Sequence, residues 1–198
     1  MTTLAGDLRR ARRLEFFTLG WNLIEALVSV IAGALAGSVA LVGFGVDSLI
    51  ESASGATLLW RLQDGGEARE RLAQRLVGVS FLLLAGYVGI ESARAVIERE
   101  PPEATLPGIL IAALSLLVMP WLARQKCMLA GRIDSGALAA DSRQTSLCAW
   151  LSAILLVGLA MNAFFGWWWA DPVAGLLMVP IILREAYDGL RGRACACH

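Results

Sequence analysis

Residues 38–62 read SVALVGFGVDSLIESASGATLLWRL. A helix needs about 20 predominantly apolar residues to cross a hydrocarbon layer, and this run is long enough despite its interruptions at Asp47 and Glu51. A spacing of four sets both carboxylates on one helical face, roughly 6 Å apart along the axis. Charged side chains at membrane depth are costly; they face the bundle interior and by default mark function. Two carboxylates there without a cation repel each other and draw protons, and a divalent cation between them removes both costs. The alternative is a structural role, with hydrogen bonds to serine or backbone in the protein interior.

Five further stretches flank this one: Phe16–Leu35, Leu76–Ile97, Leu106–Leu122, Leu138–Phe165 and Ala170–Leu190. The expected fold is an all-α integral membrane protein, a six-helix transmembrane bundle forming one domain over residues 1–198. A leader of residues 1–15 precedes the spans, and a tail of residues 191–198 follows them. Composition agrees: 57% of the chain is hydrophobic and 17% charged, more apolar surface than a soluble domain of this length could cover. A net charge of zero argues against nucleic acid, whose phosphates call for a basic face. The expected partners are the lipid bilayer, a metal ion and protons.

Orientation follows from the basic residues. With a cytoplasmic N-terminus, the inner segments hold Arg9, Arg10, Arg12 and Arg13, then Arg61, Arg69, Arg71 and Arg75. Arg124, Lys126, Arg132, Arg143, Arg184, Arg191 and Arg193 complete the inner set, leaving only Arg94 and Arg99 outside. Both termini are therefore expected in the cytoplasm of a multi-pass plasma (inner) membrane protein. Trp167, Trp168 and Trp169 fall at the outer face, where indoles favour the headgroup boundary. On this topology none of the four cysteines faces an oxidising compartment, so they do not read as a disulfide frame.

The fifth span offers a partner face. Asp141, Gln144 and Cys148 stand at i, i+3 and i+7, one side of a helix antiparallel to the second span. Cys148 is expected level with Asp47 and Gln144 level with Glu51, so that four side chains could converge on one tetrahedral ion. Carboxylate with thiolate favours zinc or a softer relative over magnesium or calcium. Other readings stay open. Asp141, beside Arg143, could be an N-cap or a surface ion pair. Cys148 could be a small apolar core residue, and Gln144 an interhelical hydrogen bonder. Glu25, with Asn22 three residues before it, could line the path or accept a proton. Glu91 reads as a local partner of Arg94. Gly33 and Gly37 have the spacing that permits close helix approach, or mark a short turn. At the tail, Cys195, Cys197 and His198 are further candidate ligands for a soft ion, or incidental residues of a disordered end.

The chain resembles the cation diffusion facilitator family of metal transporters along nearly its whole length. Trp21-Asn22, the run Gly37-Ser38-Val39-Ala40-Leu41 and Val46-Asp47-Ser48-Leu49-Ile50-Glu51 are similar to that family's first two spans. Ala140-Asp141 resembles its fifth, and Ala170-Asp171-Pro172-Val173-Ala174-Gly175 the opening of its sixth. The resemblance implies six helices, a mid-membrane site shared by spans two and five, and exchange of zinc or a similar ion for protons. It implies a transporter, not an enzyme, with the metal as cargo and no tightly bound cofactor. Two departures stand out. The family's fifth-span His and Asp positions fall here on Gln144 and Cys148, and the second-span pair is Asp then Glu. The family's cytoplasmic metallochaperone-like domain is expected to be missing, since about a dozen residues follow the last span. The likeness is therefore to a compact form, in which a homodimer would form through the helices. A non-transporting metal-binding or regulatory protein is the alternative.

Overall fold

The structure, a computed structural model, describes residues 4–64, 67–99, 102–103 and 105–191, with side chains at all of these but 5, 60–77, 137 and 189. Six helices follow one another: α1 (Leu4–Ala36), α2 (Val39–Asp64), α3 (Glu67–Glu98), α4 (Leu106–Ile133), α5 (Gly136–Phe165) and α6 (Ala170–Arg191). Cys195, Cys197 and His198 lie outside the described residues. The helices form an all-α membrane bundle, and five of them are long and apolar enough to cross a bilayer. The sixth is the shortest of the six and carries Asp171, Arg184, Glu185, Asp188 and Arg191. It lies against α3, α5 and α2.

Several helices run well beyond the apolar stretches that announce them. The 33 residues of α1 extend about 50 Å at 1.5 Å per residue, against a hydrocarbon core of about 30 Å. Its first turns are charged, and Arg10 donates to the side chain of Gln125 on α4 at 2.9 Å. Residues 123–133, expected beyond the fourth span, are the last three turns of α4. The bundle thus has a basic end, where α1 begins and α4 finishes, and a tryptophan end, where Trp167 stacks on Trp169 at 5.1 Å.

Local chemistry sets the turns. Gly37, at φ 67°, is in the left-handed region that a residue without Cβ enters freely, and it lets α1 double back into α2. Gly33 serves close approach: a Cβ there would stand 2.8 Å from the Val42 backbone nitrogen. Thr105 caps α4, with Pro107 in its first turn, and Asp134 ends it at φ 51°. Ser135 caps α5 through the Leu138 N–H, and Gly166 closes it at φ 65°.

α2 is the central element, touching α1, α3, α5 and α6. Phe44, Leu41, Met119, Leu155, Leu159, Met178 and Ile182 fill the interior, while Leu27, Leu83, Leu117 and Phe164 point outward. An apolar exterior is what a lipid-facing surface requires. Polar residues are therefore informative where they are buried, and they gather along the inward faces of α1, α2 and α5.

Candidate metal site

The two α2 carboxylates are interior groups: Asp47 is 5% exposed and Glu51 2%. Their helix is held polar on this side by Ser48 and Ser52, whose hydroxyls donate back to the carbonyls of Phe44 and Ser48. Glu51 Oε1 accepts a 2.7 Å hydrogen bond from Thr145 Oγ1 of α5, and Glu51 Oε2 has no hydrogen-bond partner. The Cys148 thiol, one helical turn along α5 and fully buried, lies against the same carboxylate. Glu51, Glu25 and Glu185 are close enough to Asp47 to interact with it electrostatically.

The α5 residue that bonds Glu51 is Thr145, the chain neighbour of Gln144. Cys148 lies against Glu51 and is close enough to Asp47 to interact with it electrostatically. Gln144 is buried nearby with its Nε2 unpartnered. Among the described residues, no three His, Cys, Asp or Glu side chains close into a group able to hold a metal ion. Asp47, Glu51 and Cys148 therefore neighbour one another without converging on a single point.

Asp141 occupies a different place. Ser135 is the N-cap of α5, and Asp141, two turns further in and 4% exposed, pairs through Oδ2 with Lys126 Nζ at 2.5 Å. Lys126 is itself fully buried and makes a second ion pair with Glu15 Oε2 at 3.1 Å. It also donates to Thr145 Oγ1 at 3.3 Å. Glu91 pairs with Arg94 at 3.6 Å at the exposed end of α3, as its spacing implies.

α1 contributes a polar face. Glu15, Thr18, Asn22, Glu25 and Ser29 alternate by three and four residues, and none is more than 2% exposed. Glu25 Oε1 accepts from Ser115 of α4 at 2.5 Å. Glu25 Oε2, both polar atoms of the Asn22 amide and the Ser29 hydroxyl have no hydrogen-bond partner. Unpaired buried polar groups are costly in a hydrophobic setting, and such a row beside two carboxylates is the lining expected of an ion or water path. Sequence reasoning singled out Asn22 and Glu25 on this face but missed Glu15, Thr145, Glu185 and the burial of Lys126. The three–four alternation on α1 is the signal that could have shown Glu15 to be interior.

Comparison with known proteins bears on what this arrangement serves. Residues 16–192 match the cation efflux transmembrane domain. An uncharacterised transporter of Methanocaldococcus jannaschii is 23% identical over 192 residues, covering 91% of this chain and 68% of that protein. A cadmium, cobalt and zinc/H(+)-K(+) antiporter of Bacillus subtilis is 30% identical over 189 residues, 85% of this chain and 56% of its own length. A cation-efflux pump of Shewanella oneidensis is 29% identical over 114 residues, 57% of this chain and 36% of its own. The chain thus spans about two thirds of the first of these relatives and less of the others.

Proposed function

This chain belongs to the cation efflux family, a family of membrane transporters rather than enzymes, and from that premise we propose that it exchanges divalent transition-metal ions, zinc among them, for protons. The observation that carries the reading is the meeting of Glu51 with Cys148 one turn from Asp47, all buried inside the bundle. Asp47, Glu51 and Cys148 are the proposed ligands, with Gln144 as a neutral fourth. Asp141 is better assigned to Lys126, because an oxygen held at 2.5 Å by an ammonium is already neutralised. Closing the ligands on an ion calls for a small movement of α5 against α2. Protons compete with the metal for the same carboxylates and thiol, so loading releases protons and protonation releases metal.

The basic end is proposed to face the cytoplasm and the tryptophan end the outside of the plasma membrane. Single cysteines at Asp64 and Glu103 test this with an impermeant thiol reagent. The first should be labelled only from the cytoplasm and the second only from outside, and the reverse pattern would overturn the topology. Function is tested by the flux of zinc, cadmium, cobalt and manganese into proteoliposomes with and without a pH gradient. Gradient-stimulated uptake supports exchange. Saturable binding with no flux would favour the second reading, a membrane metal-binding or regulatory protein, which the neutral Gln144 and the lack of a preformed three-ligand group among the described residues favour.

A further inference from the structure

The bundle buries a lysine that the proposed ligand set does not use. Lys126, fully inaccessible on α4, has its ammonium between Glu15 of α1 and Asp141 of α5, with Thr145 of α5 as a third partner. An ammonium in an interior of low polarity must be paired, and here two carboxylates pair it. The surroundings are built to admit the group. Gly55 of α2 lies one turn beyond Glu51, and a Cβ at that position would run into the Glu15 carboxylate. Glu15 thus packs its Oε1 against this glycine while its Oε2 meets Lys126. α1, α4 and α5 meet at this one cation, and α2 packs against the Glu15 carboxylate.

The place of the cluster gives it a role. It lies between the basic end and the α2 carboxylates, and its last member touches the site directly. Thr145 Oγ1 receives the Lys126 N–H and donates its own proton to Glu51 Oε1 at 2.7 Å. A hydroxyl has one proton to give, and of its two acceptors Glu51 Oε1 at 2.7 Å is nearer than the Asp141 carbonyl at 3.2 Å. With Lys126 supplying a donor on one side, that proton is directed to Glu51, which fixes the carboxylate's rotation and leaves Oε2 free of hydrogen bonds. On α1, Asn22, Glu25 and Ser29 lie on the site side, and Glu15, whose Oε1 likewise has no hydrogen-bond partner, is the residue the lysine holds by an ion pair.

We infer that Lys126 is a positioning residue for the ion path: with Glu15 and Asp141 it closes the path between the site and the basic end, and through Thr145 it sets the orientation of Glu51. The ammonium stands where an ion passing to or from the basic end would have to travel. Opening that way requires the Glu15 and Asp141 carboxylates to part from it. An entering divalent cation, attracted by the same carboxylates, is suited to bring this about. The inference rests on the transport reading only for the identity of what passes; the closure itself is a property of the bundle.

The test uses the full chain in nanodiscs with Cys127, Cys195 and Cys197 changed to alanine, so that Cys148 is the sole thiol. In this background a small impermeant methanethiosulfonate should label Cys148 slowly. Lys126→Ala should raise the labelling rate by about tenfold or more, and Lys126→Arg, which retains the charge, should restore the slow rate. Should Lys126→Ala fail to fold, Glu15→Gln removes one ion pair at smaller cost and should raise the rate by a few fold. Unchanged labelling in the folded variants, or labelling as fast in Lys126→Arg as in Lys126→Ala, would overturn the closure. Thr145→Val reads the positioning arm: zinc affinity by calorimetry should fall about tenfold while Cys148 labelling stays slow. An unchanged zinc affinity would overturn the link to Glu51. Labelling needs no metal, so a background protein that binds no zinc would sink the transport reading and leave the closure result standing.

Discussion

The two ends of the bundle are tied by different chemistry. At the tryptophan end the ties are directional hydrogen bonds. Asp171 of α6 accepts the Ser38 hydroxyl at 2.5 Å, and Ser38 Oγ accepts the Leu41 N–H at 3.1 Å, so Asp171 supports the cap of α2 from a neighbouring helix. Asn162 donates to the carbonyl of Pro102 at 2.9 Å, and Glu103 N–H to that of Ala36 at 2.8 Å. At the basic end, three helices, α1, α4 and α5, share one buried cation, Lys126. A cap is specific to the backbone that it satisfies and nothing else replaces it. An ion pair answers to charge, and another cation can compete for its carboxylates. The first kind of tie suits a scaffold, and the second suits a junction that must open.

Three substitutions sharpen or break this contrast. The largest effect is expected between the ends. Asp47→Asn keeps shape and removes a charge from the proposed ligand set, so metal flux in proteoliposomes should fall to background while the protein stays folded. Wild-type flux in that variant would mean the cation is bound elsewhere. Cys148→Ser should act more narrowly, since a hydroxyl keeps much of the volume and loses thiolate chemistry. Cadmium affinity should fall about tenfold more than manganese affinity, as softness would have it, and an equal loss for both in calorimetric titration would make Cys148 a packing residue. The smallest effect is expected at the tryptophan end. Asp171→Asn weakens a cap, with a cost on the order of 1 kcal/mol, visible as a lower thermal midpoint with flux retained. A loss of flux without loss of stability would break the contrast, because the tryptophan end would then share in transport.

Much of this was legible in the sequence, and the gaps have physical causes. Six apolar stretches marked the helices, and the four-residue spacing of Asp47 and Glu51 marked the interior face of α2. Lys126 was counted among the inner basic residues, and its burial was not legible because it follows Arg124 and Gln125 just past an apolar run. A basic residue there reads as one that snorkels to the headgroups, and only the continuation of α4 to Ile133 carries it back into the bundle. Glu15 was placed in the leader for the same reason. Thr145 gave no signal, since a lone hydroxyl in a span can bond its own helix, as Thr145 also does to the Asp141 carbonyl at 3.2 Å. Asp141 was noticed as a polar residue in the right place, but its partner came from a helix that hydropathy had ended too early.

The turn at Gly37 and Ser38 bears on how the protein is made. Only these two residues separate α1 from α2, and the helices touch closely enough that Gly33 can bear no side chain without displacing Val42. A single carboxylate at the centre of a lone helix costs about 3 kcal/mol when it is passed from the translocon to lipid, and α1 brings Glu25 while α2 brings Asp47 and Glu51. So short a link gives the ribosome no interval in which to release α1 alone. The two helices should therefore partition into the bilayer as one hairpin, their acidic faces turned toward each other before the rest of the chain exists.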